Sequence, residues 1–194
     1  RARILEKGLD GMLLNIDKKD VWCRLTGNFN AYNILAVYGS GRLLGMEADS
    51  LLAAISKAES PEGRFDLFRG RDGITAIVDY AHTPDALKNV LKTIQELRTG
   101  NGKLITVVGC GGNRDTAKRA PMAEIAAHYS NQVIFTSDNP RFEDPESIID
   151  DMKKGLERNP VLKSRQITIS NRKEAIAAAC AMAGKGDIVF VAGR

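Results

Sequence analysis

The sequence is short of most features that would mark it as secreted, membrane-bound or nucleic-acid-binding. Its 194 residues include only three cysteines, Cys23, Cys110 and Cys180. They are odd in number, far apart and free of any CxxC spacing, which excludes a disulfide framework and a zinc site and predicts free thiols in a cytoplasmic protein. No apolar run approaches the ~20 residues that a membrane helix needs. Aromatics make up 6%, and the 28 Lys and Arg exceed the 24 Asp and Glu by a net charge of +4. Those cations are spread along the chain without aromatic interleaving, so no nucleic-acid partner is expected. The only two histidines, His82 and His128, have no Ser or Cys nucleophile beside them, which argues against a hydrolytic triad. Absent too is any G-x-x-x-x-G-K-[ST] loop, the backbone cradle for nucleotide phosphates. The opening "RARILEKG" has neither an initiator Met nor a signal-peptide pattern. The closing "VFVAGR" stops directly after a strand-like run, and both ends read as cuts in a longer protein.

What is present falls into two patterns. Residues 1–60 begin with the strand-like runs "GMLLNI" and "DVWCRL" and continue with helical spacing over roughly 30–44 and 49–58. The first helix is expected to use Ile34, Leu35, Val37, Tyr38 and Leu43 as its apolar residues, with Asn28 or Asn30 as its cap. The stretch "AESPEGR" then has the Pro/Gly signature of a linker, so a boundary is placed near 60. Over 61–194 the pattern is regular. Runs "GITAIVDY", "KLITVVG", "QVIFTS", "RQITIS" and "DIVFVAG" alternate with helical stretches at about 84–98, 116–129, 145–157 and 171–183. Strands that are nearly all apolar are buried on both faces, so the expected fold is α/β: a Rossmann-like, mostly parallel sheet with helices on both faces.

In such a sheet, ligands collect beyond the carboxyl ends of the strands. Each strand here is followed by a polar cluster: "DYAHTP", "GCGGNRD", "SDNPR", "SNR" and "AGR". The glycine cluster has Arg114 where a dinucleotide fingerprint needs its third glycine. No acidic residue follows ~20 positions later to take a ribose, so NAD is disfavoured. Glycines for a tight turn are one reading of that cluster. An anion site with Arg114 as a planar donor fork is the other. In "DYAHTPDAL", Thr83 suits a helix cap before Pro84, and His82 is either a solvated loop residue or a contact for phosphate or ribose. In "GNFNAYN", Asn30 and Asn33 lie three apart, hence on one helix face; a cap and a surface residue, or two amides for an adenine edge, both fit.

The segment "SDNPR" carries the sharpest signal. Asp138 and Asn139 before Pro140 suit an Asx-turn, but a turn has no use for Arg141. A guanidinium fork captures a carboxylate with two hydrogen bonds, and Asp138 suits an ammonium. Together they match the head of a zwitterionic amino acid.

Taken in order, "GNFNAYN", "GRF", "VDYAHTPDAL", "GCGGNRD…KR", "SDNPR" and "VAGR" give a sequence that resembles the Mur ligase family of ATP-dependent amide-bond ligases. The resemblance extends over essentially the whole chain and is strongest to members that add meso-diaminopimelate. It implies the C-terminal portion of a three-domain peptidoglycan-precursor enzyme. Residues 1–60 would be the tail of the central ATP-binding domain and 61–194 the domain that delivers the incoming amino acid. ATP and Mg2+ would activate a carboxylate of a UDP-N-acetylmuramoyl dipeptide as an acyl phosphate, which the amine then attacks. By motif position, Asn30 and Asn33 would face adenine, Arg64 the phosphates and Asp79 the ribose, with His82 and Thr83 nearby. Arg114, Asp138, Asn139, Pro140, Arg141 and Gly193 would hold meso-diaminopimelate. A lysine-adding or folate-polyglutamylating relative and a non-catalytic amino-acid-binding module are the alternatives. A monomer is expected, and the absent phosphate loop implies that these residues alone form no amide bond.

Overall fold

The structure is a computed structural model that describes residues 1–70, 72–98 and 100–193. It divides into two compact units, Arg1–Glu62 and Gly63–Arg194. In the first, β1 (Ala2–Gly8), β2 (Gly11–Ile16) and β3 (Lys19–Cys23) form an antiparallel meander. Asp17 and Lys18, both at positive φ, make the two-residue turn between β2 and β3, in keeping with the primed turns that match strand twist. Alternate residues Met12, Leu14, Ile16, Val21 and Cys23 point into a core closed by α1 (Asn28–Leu43) and α2 (Ala48–Lys57).

The expected apolar face of α1 needs correction. Ile34, Tyr38 and Gly41 are the buried positions, at the i, i+4, i+7 spacing of one helix stripe. Gly41 belongs to that stripe because Leu51 lies where its Cβ would stand. Val37 and Leu43 point outward, Leu43 being 90% exposed. The cap is Gly27, at φ 91°, with no side-chain bond, rather than Asn28 or Asn30. An unread strand, β1, completes the sheet; its largely exposed side chains hide it from any search for apolar alternation.

The second unit is a six-stranded sheet in the order β4-β5-β9-β6-β7-β8. Its strands are β4 (Asp66–Arg69), β5 (Thr75–Asp79), β6 (Leu104–Val108), β7 (Gln132–Phe135), β8 (Gln166–Thr168) and β9 (Ile188–Ala192). Only the β4–β5 pair is antiparallel. The α/β fold with a mostly parallel sheet is as the apolar runs indicated. β6 and β9, at the centre, are buried at every position. Ile105, Val107, Val189 and Val191 share one face with Ala175 and Ala179 of α7 (Arg172–Met182). From the other face Thr106 meets Ser130 at the end of α4 (Arg119–Tyr129) through a buried 2.7 Å hydroxyl contact. Two further helices, α3 (Pro84–Leu97) and α5 (Pro145–Lys153), pack against α4. The helical stretch read as 145–157 is α5 followed by a 3-10 turn at Lys154–Leu156. A four-residue helix, α6 (Pro160–Lys163), precedes β8 and was too short to show periodicity.

Candidate functional site

Because β5, β9, β6, β7 and β8 run parallel, their carboxyl ends lie along one sheet edge. Two clefts open there. One, of about 700 Å³, lies among the loops after β5, β6 and β7 and is lined by His82, Arg114, Lys118, Asp138, Asn139 and Arg141 among others. The second, of about 610 Å³, shares Asp138 and Asn139 and adds Arg172 and the starts of α5 and α7.

The loop after β5 turns its polar groups inward. Asp79 Oδ2 accepts the Phe65 N–H and Oδ1 the Ala81 N–H, both at 2.8 Å. Burial raises the Asp79 pKa even though those two bonds and the Arg64 charge favour ionisation. Thr83 caps α3 by accepting from Ala86 N–H at 3.3 Å, and Pro84 occupies the first turn, where a missing N–H costs nothing. His82 bonds the Tyr80 carbonyl through Nδ1 at 3.1 Å; a carbonyl can only accept, so Nδ1 is the donor. The Arg64 guanidinium stacks 4.4 Å from the Tyr80 ring centroid, and Tyr80 meets His82 edge-on.

The loops after β6 and β7 are joined backbone to backbone. Gly112 N–H donates to the Asn139 carbonyl at 3.1 Å. The approach is so close that a Cβ on Gly112 would stand 1.9 Å from the Pro140 oxygen. Only glycine fits at this position, which is the physical reason for the cluster "GCGG". Arg141, at φ 55°, sends Nη1 to the Gly112 carbonyl at 2.7 Å. It is solvent-exposed and makes no ion pair among the described residues, so most of its donor fork remains open. Arg114 is likewise exposed at the rim of the same cleft.

Asp138 has no hydrogen bond or ion pair among the described residues, so the expected Asx-turn is not formed. Its Oδ2 would lie 2.8 Å from a Cβ on Gly193, which at φ 86° also sits in the left-handed region. Gly193 is held there by its N–H bond to the Asp79 carbonyl at 3.0 Å. Arg172 braces the same corner, donating Nη2 to the Ala192 carbonyl at 3.1 Å, while its buried Nη1 has no partner among the described residues. Burial lowers the Arg172 pKa and the charge of Asp138 opposes that.

The structure therefore brings His82, Thr83, Arg114, Asp138, Asn139 and Arg141 to one cleft; Pro140 and Gly193 do not line it, the Pro140 carbonyl lying against Gly112 and Gly193 against Asp138. Asp79 lies beneath the cleft, 8% exposed. Asn30 and Asn33 belong to the first unit, where they do share a helix face: Asn33 Nδ2 donates to Asn30 Oδ1 at 3.3 Å, and Asn30 Nδ2 to the Thr26 carbonyl at 2.8 Å. Lys118 and Tyr80 also line the cleft and were not singled out, although both stand inside motifs quoted above. Lys118 spans two loops by donating to the His82 carbonyl at 2.8 Å. Burial pushes the nearby Cys110 thiol up to about 11, so it stays protonated and unreactive at neutral pH. Among the described residues no cluster of three or more His, Cys, Asp or Glu is placed to hold a metal ion, and no helix is long and apolar enough to cross a membrane. Arg194, the last residue of the terminal motif, lies outside the described residues.

Comparison with known proteins bears on what this edge serves. The family model described as "Mur ligase, glutamate ligase domain" matches residues 63–194. The UDP-N-acetylmuramoyl-L-alanyl-D-glutamate–2,6-diaminopimelate ligase of Cytophaga hutchinsonii is 50% identical over 194 residues, all of this chain and 39% of that protein. A solved structure of a ligase of the same name superposes with TM-score 0.66 at 38% identity, covering 100% of this chain and 39% of its own. Folylpolyglutamate synthase from Thermotoga maritima reaches TM-score 0.75 at 18% identity, covering 99% and 43%, which shows the shared fold. The chain thus spans about two fifths of the length of the relatives it matches. With the matched family model ending where the second unit ends and covering its whole cleft, the chain belongs to the Mur ligase family.

Proposed function

We propose that Gly63–Arg194 is the amino-acid-receiving domain of an ATP-dependent ligase that adds meso-diaminopimelate to UDP-N-acetylmuramoyl-L-alanyl-D-glutamate in the cytoplasm. Arg1–Glu62 is then the end of the preceding ATP-binding domain, with Asn30 and Asn33 facing the adenine. The observation that carries this reading is the open pair of guanidiniums, Arg114 and Arg141, in one cleft with a carboxylate, Asp138, that makes no hydrogen bond or ion pair among the described residues. Two forks and one acid complement an amino acid that bears two carboxylates and two ammonium groups. The names of the relatives at 50% and 38% identity point to the same substrate.

In this reading Arg141, Arg114 and Asn139 hold the carboxylates, Asp138 takes an ammonium, and Pro140 and Gly193 set the shape of the pocket. Arg64, His82 and Thr83 face the nucleotide. Asp79 has lone pairs left for a ribose hydroxyl beyond its two backbone bonds, and its larger part is to shape the loop that presents His82. ATP would supply the phosphoryl group that activates the acceptor carboxylate. The residues of this chain orient the incoming amine and neutralise the charges that travel with it. No step is assigned to a metal held by this chain.

L-lysine lacks the distal carboxylate, and a site built around a guanidinium leaves that cation unpaired when lysine binds, so discrimination of several orders of magnitude is attainable. Titration calorimetry of the 194-residue chain should give heat with meso-diaminopimelate and at least 100-fold weaker binding of L-lysine. Equal affinities would defeat the assignment. A coupled ADP-release assay should register no turnover by this chain, which has no phosphate-cradling loop.

A further inference from the structure

We propose that Arg119, the first residue of α4, is a positioning residue that keeps Arg141 and Arg114 open for substrate by sequestering the carboxylate of Glu143. This builds on the substrate reading above and adds the device that makes the two forks available.

Arg119 is 2% exposed. Its Nη2 meets Glu143 Oε2 at 2.7 Å and its Nη1 meets Asp151 Oδ2 at 2.9 Å. Neither partner is near it in sequence: Glu143 stands in the loop after β7 and Asp151 in α5. Glu143 uses its other oxygen, Oε1, to accept the Asn113 N–H. Asn113 in turn accepts the Phe142 N–H on Oδ1 at 3.0 Å. Two bonds thereby tie Asn113, the residue before Arg114, to Phe142 and Glu143, the two residues after Arg141. Gly112 adds a third tie through Asn139, and the Arg141 guanidinium rests on the Gly112 carbonyl.

Both loops need holding. Asn113 and Arg141 adopt left-handed backbone, at φ 49° and 55°, a conformation that non-glycine residues keep only where their surroundings impose it. Charge matters as much as shape. Glu143 is two residues from Arg141, and its backbone partner adjoins Arg114. Freed from Arg119, it is a further anion at the loop ends, beyond Asp115 and Asp138 of the cleft itself, that can compete for either guanidinium and so occupy the place of a substrate carboxylate. Burial alone would lower the Arg119 pKa; its bonds to Glu143 and Asp151 outweigh that and keep the cation firmly charged. Glu143 is held below the ordinary glutamate value by the Asn113 N–H first and Arg119 second.

The test uses the 194-residue chain and three variants: Arg119→Lys, Glu143→Ala and, as a surface control, Lys153→Ala, which removes only the exposed pair with Asp150. Backbone amide exchange is followed by NMR at Gly112 and Phe142, with 15N resonances of the Arg141 side chain, and meso-diaminopimelate and L-lysine are titrated by calorimetry. Arg119→Lys and Glu143→Ala are expected to speed exchange at both amides about 10-fold and to shift the Arg141 resonance, while the amides of β6 and β9 keep their rates. Arg119→Lys should weaken meso-diaminopimelate about 10-fold and L-lysine hardly at all, since one ammonium cannot reproduce the two-pronged hold on Glu143 and Asp151 and leaves Glu143 looser to compete with the distal acid; a general loss of structure would weaken both alike. Glu143→Ala, which frees no carboxylate, should cost less affinity than Arg119→Lys despite equal loosening. Unchanged exchange at Gly112, or faster exchange with unchanged preference for meso-diaminopimelate, overturns the proposal. If the parent chain binds neither amino acid, the substrate reading fails by itself, and the exchange rates with the Arg141 resonance still decide whether Arg119 and Glu143 hold the forks in place.

Discussion

The loop after β5 and the pair of loops after β6 and β7 end strands of one sheet that β9 alone separates, yet they spend their polar groups in opposite ways. After β5, Asp79 gives both oxygens to backbone N–H groups, Thr83 caps a helix and His82 bonds a carbonyl two residues away. After β6 and β7, backbone groups and a glutamate satisfy one another, and the long cationic side chains are left at the rim. A polar cluster at a strand end is therefore not one kind of signal. A short acceptor near the chain pins the loop. A guanidinium on a pinned loop is what remains to meet a ligand.

The contrast can be broken at several points. The largest effect should come from Asp79→Ala, which strands the buried N–H groups of Phe65 and Ala81. At 1–3 kcal/mol for each lost partner, the second unit should lose roughly 3 kcal/mol of stability, measured by urea denaturation, with little change in the affinity for amino acid. A stable Asp79→Ala chain would erase the distinction between the loops. Arg141→Ala should do the reverse. Affinity for meso-diaminopimelate should fall by about 2 kcal/mol, roughly 30-fold, while the melting temperature stays within a degree or two. Thr83→Ala comes next, at about 1 kcal/mol of stability for a lost N-cap, read from the same denaturation curves.

Acid sensitivity gives the smallest and most selective effect. The folded pKa values of Glu143 and Asp151 are lowered, the first chiefly by the Asn113 N–H and the second chiefly by Lys154, each with help from Arg119. Between the folded and unfolded pKa values the unfolded chain binds more protons, so stability rises with pH there. The contribution is complete above the ordinary carboxylate range and is lost as pH falls through the lowered values. Asp79 has the opposite sign: its raised folded pKa favours the protonated form, so its ionisation detracts from stability as pH rises through that value. Denaturation midpoints between pH 6 and pH 3 should thus fall less steeply for Glu143→Gln than for the parent chain. Parallel slopes would mean that Glu143 contributes nothing to the tie between the loops.

Much of this was legible in the residues. Five strand-like runs gave five parallel strands. In β6 and β9, buried on both faces, the run is almost wholly apolar because a polar side chain there needs its own partner, as Thr106 has in Ser130, whereas β5 and β8 are only partly buried. The edge strand β4 and the meander strand β1 escaped notice, since half-exposed strands lack that run. In α1 apolarity alone did not mark the buried face: Gly41 packs against Leu51, while Leu43 stands in solvent. Within the cleft, Arg114, Asp138 and Arg141 could be read as candidates because acid and guanidinium so near a strand end exceed what a turn requires. Arg119 and Glu143 could not, because an arginine at a helix start and a glutamate beside a proline-rich loop are ordinary surface residues until folding places one against the other.

Sequence alone determined the alternation of helices with the five parallel strands, the sheet edge at which polar groups gather and the chemical types present there, for these follow from local periodicity and from which residues a buried strand excludes. Only the tertiary structure decided which polar groups are consumed and which stay open. Hydrogen bonds such as Asp79 to Phe65 and Arg119 to Glu143 join residues 14 and 24 positions apart, and no local pattern encodes a partner that the fold alone brings within reach.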